Sequence, residues 1–563
     1  MTVTTALSSA AERPVGRAAA SRQSFGWLLG GLLLVGLVVR LAVLASPLGE
    51  IDGDEAVVGL MARHIAFLGD RPPFFYGQHY LGSLEAFTAA PLFRLFGASA
   101  AVLKLVPTLY SLGFLWLSVV LARRLFGDGP ALLTGVYLAV PPAMWAVWST
   151  KARGGYAELL FLGEALLLAT LWAARPAARR WVRAIQSLSW GLLAGLALWT
   201  HLLAVVYLVP CGVYLALQRR PRRSLKAAHG EPVALRCGLR PDEPGAEARD
   251  AGDLALGLAG AAVGMAPLLL YNWTNHLATL AALLQPADIP LDPWAQLLRF
   301  FRVGVPVLAG LGQPTTSAAM FDLDWPTRPA GFLPAVVALL VLLALVLIHQ
   351  RRAVLGLVGA GRGNAPGPAL LVLLALCVPP VVALSRFGFF VSEPRYALPL
   401  YAAFPLVASA LWRLPRPLRL VATTALIGLN VFSLVSSDVR LWRPEGAVDS
   451  TTATRVALVQ HLVGQDRHQM YTDYWIAYPV MFETGETVLA YVVSGGFNRY
   501  IPPADNVQRT PNAVWVFVAG SDEEAEFTDQ MRRVGAQANV AEVAVYRVYA
   551  DVTPIDSLRP PRP

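Results

Sequence analysis

Four acidic residues, Glu50, Asp52, Asp54 and Glu55, stand together directly after a long apolar run that stops near Ser46. Carboxylates in such a place can cap a helix, hold a cation or take a proton from an attacking hydroxyl. Capping accounts for one of them: Asp54 suits the N-cap of a helix running from Glu55 to about Leu68, and Glu55 in the first turn suits the helix dipole. Val57, Leu60, Met61, Ile65 and Leu68 recur at helical spacing, so that helix is expected to lie on the bilayer surface by its apolar side. Capping does not account for several acids beside a hydrocarbon boundary, where ionised groups are expensive and often functional.

Chemistry needs partners, and the same loop supplies Arg63, His64, Tyr76, Gln78, His79, Tyr80 and Glu85. The segment "STKARGGYAEL" adds Lys151 and Arg153, and "SRFGFFVSEPRYALPLY" adds Arg386, Glu393, Arg395 and Tyr396. Carboxylates from one loop and cations from two others suit a reaction on a lipid whose phosphate lies in the headgroup layer. Arg and Lys would bind that phosphate, and a carboxylate would deprotonate the attacking hydroxyl. Lys151 and Arg153 also fit a plainer role, as interfacial side chains snorkelling to the headgroups. Arg395 is the better phosphate candidate, because a span begins immediately after it and Glu393 can hold it in place. Glu158 and Glu164 fall at or within an apolar run, as bundle glue or as part of a substrate cavity.

The elements that must bring these loops together are membrane spans. The chain has 563 residues, 55% hydrophobic and 15% charged, against about 25% charged in soluble proteins. Apolar runs that match a bilayer core fall at 25–48, 103–122, 131–149, 157–174, 187–200, 202–218, 254–271, 331–349, 367–385, 396–412 and 418–437. The pair at 187–218 reads either as two short helices with a turn near Thr200 and His201 or as one long tilted helix. Arginines concentrate in short connections: Arg123-Arg124, Arg175 to Arg183, "QRRPRRSLK", Arg351-Arg352, and Arg413 to Arg419. If these and the N-terminal tail (1–24) are cytoplasmic, parity requires about eleven spans, with the N-terminus inside and the C-terminus outside. The acidic cluster then opens an outer loop at 49–102, with a second at 272–330. The net charge of +9 is accounted for by this orientation pattern and gives no nucleic-acid face. Cys211, Cys237 and Cys377 show neither a disulfide framework nor zinc spacing. The first run is too long for a signal-peptide core, so it reads as a retained span.

After Ser437 charged residues rise and apolar runs shorten. Residues 513–520 and 540–549 read as strands, 451–463 and 522–534 as helices, and "FETGE" as a helix end before Gly485. The stretch 438–563 is therefore expected to be an extracytoplasmic α/β domain following a transmembrane domain at 25–437. Within it "YTDYWIAYPVMFETGE" and "GGFNRY" mix aromatic and polar groups as carbohydrate sites do, although aromatics at helical spacing also make a core.

An Asp-Glu pair just after the first span, here Asp54-Glu55, resembles the GT-C superfamily of polytopic glycosyltransferases. Its nearest branch is family 39 and its relatives, the protein O-mannosyltransferases and the lipid A aminoarabinose transferases. Further marks are "LFRLFGASAAVLKLVPTLYSLGFLWLSVVLARRLFG", the "YNW" at 271–273 and "EPRYALPLY" opening a late span. The resemblance covers 25–440. It implies an enzyme of the cell membrane that takes a sugar from a polyprenyl-phosphate carrier and passes it to a glycan, lipid or protein acceptor. Asp54 would be the catalytic base, with Glu55 positioning the acceptor or a ligand. Lys151, Arg153 and Arg395 would bind the carrier phosphate, and Arg63, Tyr76, Gln78, Tyr80, Glu393 and Tyr396 would contact substrate. A phosphate leaving group needs charge stabilisation rather than protonation, so one base plus cations suffices; a glycoside hydrolase would need a second, acidic carboxyl. Where many members carry a Lys-Pro-Pro-Leu-like segment, this chain has Arg71-Pro72-Pro73 followed by "FFYGQHYLGSLEAF".

No cofactor is required by these residues. Some relatives bind a divalent cation near the carrier phosphate, and His64, His79 and His201 with the acids could supply ligands, but no spacing demands it. The competing reading is a transporter or flippase of lipid-linked sugars. Such proteins place ionisable residues at mid-membrane on broken helices, often in repeated halves. Here the ionisable residues concentrate at span ends and no internal repeat is visible.

Overall fold

The computed structural model describes residues 15–177, 179–219, 246–285, 292–311, 332–358, 366–385, 394–437, 442 and 449–561. Four helices among them are long and apolar enough to cross a membrane: Gln23–Leu44, Ala100–Phe126, Tyr156–Ala173 and Arg416–Val435. Two bent pairs, Ala251–Gly264 with Ala266–Thr274 and Leu340–His349 with Arg351–Leu357, add up to two more. Leu202–Gln218 and Pro368–Leu384 are shorter apolar helices. The chain is a multi-pass membrane protein.

Several apolar runs are not single straight rods. The expected span at 131–149 is broken: helices Asp128–Ala139 and Ala143–Trp148 flank Pro141-Pro142. Proline lacks the amide a helix needs and pushes the preceding residue out of the α region. The 396–412 run starts as a 3-10 segment, Arg395–Ala403, and becomes α-helical at Phe404–Trp412. Between 187 and 218 the chain is two helices, Arg180–Thr200 and Val205–Arg219. They part at His201, whose backbone is extended (φ −156°, ψ 129°) and whose Nδ1 accepts from the Leu203 amide at 3.0 Å.

Residues 469–553 form a five-stranded sheet in the order β2-β1-β3-β5-β4. Its strands are β1 (Gln469–Asp473), β2 (Leu489–Ser494), β3 (Val514–Val518), β4 (Gln537–Val543) and β5 (Tyr546–Thr553). Strands β2, β1 and β3 run parallel, and β5 and β4 close the sheet antiparallel. The single strand expected at 540–549 is instead a hairpin, turning at Ala544, which takes a positive φ of 54°. Strands β1 and β2 were not among the expected strands: β1 is short and polar at both ends, while β2 carries the uninterrupted apolar run Leu489 to Val493.

This sheet unit sits on the loop that follows the first membrane helix. The Gly53–Arg63 helix does not lie on a bilayer: Val57, Leu60 and Met61 are buried in one core with Phe93, Ile476, Val480 and Phe482. Each such side chain contributes about 1.5–3 kcal/mol when withdrawn from water. The close approach depends on two glycines. A Cβ on Gly53 would lie 2.8 Å from the Tyr474 ring, and one on Gly59 would lie 2.6 Å from Phe482. At the edge of this contact Glu50 accepts from the amide and hydroxyl of Thr452 (3.0 and 2.7 Å) and pairs with Arg455 at 3.5 Å. Arg455 in turn holds Glu483.

Candidate functional site

The acids after the first span separate by role once the helix that carries them is in place. The N-cap is Asp52, not Asp54: its Oδ1 accepts from the Glu55 amide at 3.1 Å, and Glu55 Oε2 accepts from the Asp52 amide at 3.2 Å. This reciprocal box needs an acid at N-cap and a Glu three residues on, and Asp52-Gly53-Asp54-Glu55 has that spacing. Because the box occupies Asp52 and Glu55, Asp54 in the first turn is left to point elsewhere.

Glu55 is fully buried. Besides the capping bond, its Oε1 accepts from Lys104, the single lysine of the Ala100–Phe126 helix, and from the Ala152 amide at 2.9 Å. Its oxygens thus meet only groups of the protein. Asp52 is likewise buried and receives Lys151 Nζ at 2.9 Å and Arg153 Nη1 at 3.4 Å. Burial acts to raise the Asp52 carboxyl, but Lys151 and then Arg153 hold it well below the usual carboxylate range. The Lys151–Arg153 segment is fixed by Ala152 and by the Gly155 amide, which donates to Glu85 at 3.2 Å. Gly154 and Gly155 turn it with φ of 82° and 74°, a backbone that glycine adopts without strain.

Asp54 stands at the meeting point of three parts of the chain. Arg153 Nε donates to Oδ2 at 2.9 Å, Tyr474 Oη donates to Oδ1 at 2.6 Å, and Arg499 Nη2 lies 3.5 Å from Oδ1. Its side chain keeps 19% exposure, against 1% for Asp52 and 0% for Glu55, so among these three acids Asp54 is the accessible one. Burial acts to raise its carboxyl, as does Asp52; Arg153, Arg499 and the Tyr474 hydroxyl outweigh both and hold it below the usual range. The carboxylate is therefore ionised at neutral pH. Lys104, Lys151, Arg153 and Arg499 outnumber Asp52, Asp54 and Glu55 by one positive charge, which favours an incoming anion.

Arg395 belongs to the same neighbourhood. Its guanidinium lies 5.7 Å from the Trp148 ring centre and that of Arg153 lies 5.8 Å from the same ring. Arg153 is also 5.7 Å from Trp475 of the sheet unit. Tyr396, Tyr156 and His201 pack edge to face or tilted around one another beside Arg395.

The other expected residues are scattered along this junction. Tyr76 bonds His64 Nδ1 at 2.9 Å and stacks on Tyr500 of the sheet unit at 4.8 Å. His64 Nε2 meets Glu486 at 2.9 Å, and half-exposed Arg63 lies 4.0 Å from the same carboxylate. These contacts tie the loop to the sheet unit, and their partners are Tyr500 and Glu486, not Asp54. Gln78 and Tyr80 are half-buried, Gln78 with its amide donating to Phe75 O at 3.0 Å. Glu393 and Arg386 lie outside the described residues, as does Cys237. Sequence reading missed Lys104, Tyr474 and Arg499 as members of this network. Tyr474 and Arg499 lie in the two aromatic and polar stretches read as carbohydrate-like, and for Lys104 the readable signal was a lone Lys within an apolar helix, since such a charge requires a partner.

The described residues do not form a site that fits a bound cation. Among the described residues no three His, Cys, Asp or Glu side chains converge as a metal site requires. Asp52, Asp54 and Glu55 already face Lys and Arg, while His64, His79 and His201 lie apart, on Tyr76 and Glu486, on Tyr271, and on a backbone amide.

No family model and no curated protein matches the sequence. Solved structures do match in fold. ArnT from Cupriavidus metallidurans bound to undecaprenyl phosphate aligns at 16% identity over 95% of this chain and 99% of its own, with a TM-score of 0.56. The apo state of that protein aligns at 16% identity over 96% and 100%, with a TM-score of 0.46. The oligosaccharyltransferase of Archaeoglobus fulgidus in the apo form aligns at 12% identity over 90% and 71%, with a TM-score of 0.48. The match to carrier-bound ArnT, a GT-C protein, spans both the membrane helices and the sheet unit, and the fold of this chain is the GT-C fold.

Proposed function

We propose that the protein is a membrane glycosyltransferase, moving a sugar from a polyprenyl-phosphate carrier to a hydroxyl acceptor at the outer face of the cell membrane, with Asp54 as the general base. The observation that carries this reading is an ionised, partly accessible Asp54 carboxylate at the end of the first membrane helix, with Arg153 at 2.9 Å. It lies in a fold shared with a protein crystallised with undecaprenyl phosphate.

In this reading the acceptor hydroxyl approaches Asp54, whose carboxylate oxygens have about four lone-pair positions and are not all occupied. The hydroxyl proton passes to Asp54 as the oxygen bonds to the anomeric carbon, and the bond from that carbon to the phosphate oxygen breaks. The carrier phosphate leaves as an anion and needs no acid, only cations. Arg153 and Arg395, grouped around Trp148, serve that anion. Lys151, paired with Asp52 at 2.9 Å, stands beside them as a further cation for that phosphate. Glu55 acts through the helix it anchors. The chain crosses the membrane about eleven times, with the N-terminus cytoplasmic and the sheet unit outside.

The test is carrier binding. Purified protein is incubated with undecaprenyl phosphate and examined by native mass spectrometry, for wild type and for a variant carrying Arg153→Gln and Arg395→Gln. A retained carrier that the double variant loses supports the reading; no adduct at saturating carrier overturns it.

A further inference from the structure

The two groups that reach Asp54 Oδ1 come neither from its own loop nor from the Lys151–Arg153 segment, but from more than 400 residues downstream, where Tyr474 and Asp54 are separated by 420 positions. Both lie at the carboxyl ends of adjacent parallel strands. Tyr474 opens the helix Tyr474–Glu483 directly after β1, and Arg499 lies on the loop after β2. That edge is where open parallel sheets place functional groups, because each strand there hands over to a loop or a helix N-terminus. The neighbouring Gly495 and Gly496 pass close under this edge: a Cβ on Gly495 would lie 1.8 Å from Asp473, and one on Gly496 would lie 2.7 Å from the Tyr474 ring.

The hydrogen bonds run in one direction. Arg499 Nε donates to Tyr474 Oη at 2.6 Å. With that oxygen already accepting, its single proton is directed at Asp54, again at 2.6 Å. Arg499 is itself locked: its backbone amide donates to Tyr478 Oη at 2.6 Å, and its guanidinium lies over Phe497 at 4.5 Å and over Phe75 of the first loop at 4.8 Å. A guanidinium held between two rings does not swing freely, so the chain from Arg499 through Tyr474 to Asp54 is pre-organised.

We propose that Tyr474 and Arg499 are positioning residues of the reaction centre, by which the C-terminal sheet unit fixes the orientation of the Asp54 carboxylate. This rests on the reading of Asp54 as the base. Among the described residues, the groups facing that carboxylate are Asp52 beside it, Arg153 from the segment after Trp148, and Tyr474, Tyr478 and Arg499 from the sheet unit. The sheet unit is part of the catalytic apparatus, not an appendage to it.

The experiment reads the carboxylate directly. Carbodiimide reacts with protonated carboxyls, and its labelling of Asp54 is followed by peptide mass spectrometry against pH in full-length protein. The variants are Tyr474→Phe, which keeps the ring packed on Gly53 and Gly496, and Arg499→Gln, with Arg499→Lys as the charge-preserving companion. In both Tyr474→Phe and Arg499→Gln the labelling midpoint is expected to move up by about one pH unit. Release of undecaprenyl phosphate from a panel of undecaprenyl-phosphate hexoses and pentoses should fall about ten- to a hundred-fold. Undecaprenyl phosphate binding stays at the wild-type level in Tyr474→Phe, which removes no charge; Arg499→Gln is read from the labelling midpoint and from release per bound carrier, and Arg499→Lys falls between. Unchanged midpoint and unchanged release in both variants overturn the proposal, even where Asp54→Asn abolishes release. If Asp54→Asn keeps full release, the base reading fails, and the labelling midpoint still decides whether Tyr474 and Arg499 hold the carboxylate.

Discussion

Lys151 Nζ lies 2.9 Å from Asp52 Oδ2, and both side chains are almost wholly buried, at 4% and 1% exposure. A pair of this kind contributes little over an apolar pair of the same shape, yet losing one partner leaves a buried charge uncompensated. Lys151→Met is therefore expected to destabilise the protein by about 3 kcal/mol. The double variant Lys151→Met with Asp52→Asn should recover a substantial part of that loss. Thermal unfolding in detergent measures both.

Asp54→Asn keeps the shape of the side chain and its contacts with Arg153 and Tyr474, but its amide cannot take a proton. Sugar transfer should fall by about 10²–10⁴-fold, the range a positioned general base supplies. Carrier binding should be kept, because the cations around the site are untouched. Native mass spectrometry with undecaprenyl phosphate, run beside the release assay, separates the two effects. In wild type Asp54 is held below its ordinary value of 3.8, so transfer should stay level as pH falls toward that value and decline only beneath it.

Asp473 behaves in the opposite sense. It caps the Tyr474–Glu483 helix by accepting from the Trp475 amide at 2.7 Å, but burial, with Glu523 nearby, pushes its carboxyl up from 3.8 to about 6. A carboxyl raised on folding favours the folded state fully below the unfolded value, and that contribution is lost as pH rises to about 6. Asp473→Asn keeps a capping oxygen and removes the titration. Its stability should show a flatter dependence between those two values and exceed wild type by about 2 kcal/mol at neutral pH. Denaturant unfolding at a series of pH values checks this.

Gly59 lets the sheet unit approach the first-loop helix, since a Cβ there would lie 2.6 Å from the Phe482 ring. Gly59→Val should cost about 1–3 kcal/mol through overpacking. It should also speed amide exchange in the Tyr474–Glu483 helix. Gly428, where a Cβ would meet nothing within 4 Å, is the control; Gly428→Ala should leave both readouts unchanged.

The membrane helices were legible because their signal is local. An apolar run as long as a bilayer is thick seldom occurs except in a chain that crosses one, and the helix Tyr156–Ala173 falls within one residue of the run at 157–174. The break at His201 is the two-helix reading of 187–218 that the sequence offered, whereas the break at Pro141-Pro142 was present as residues but a hydropathy window averages across it. The capping box was written in the sequence as well: Asp52 and Glu55 have the required spacing. Choosing Asp54 as the cap followed from looking for one acid before one helix start.

What the sequence by itself determined is the chemistry of the first loop: a carboxylate at Asp54, at the mouth of a span, with cations at Arg153 and Arg395 on other loops. What only the tertiary structure decided is which groups face one another. Lys151 is directed to Asp52, Glu55 to Lys104, and Tyr474 with Arg499 to Asp54. No window along the chain holds that information, because hydrogen bonds across 49, 99 and 420 positions depend on how helices and a distant sheet pack. Packing is set by shape, through glycines such as Gly53 and rings such as Tyr474, and shape complementarity leaves no periodic trace in sequence.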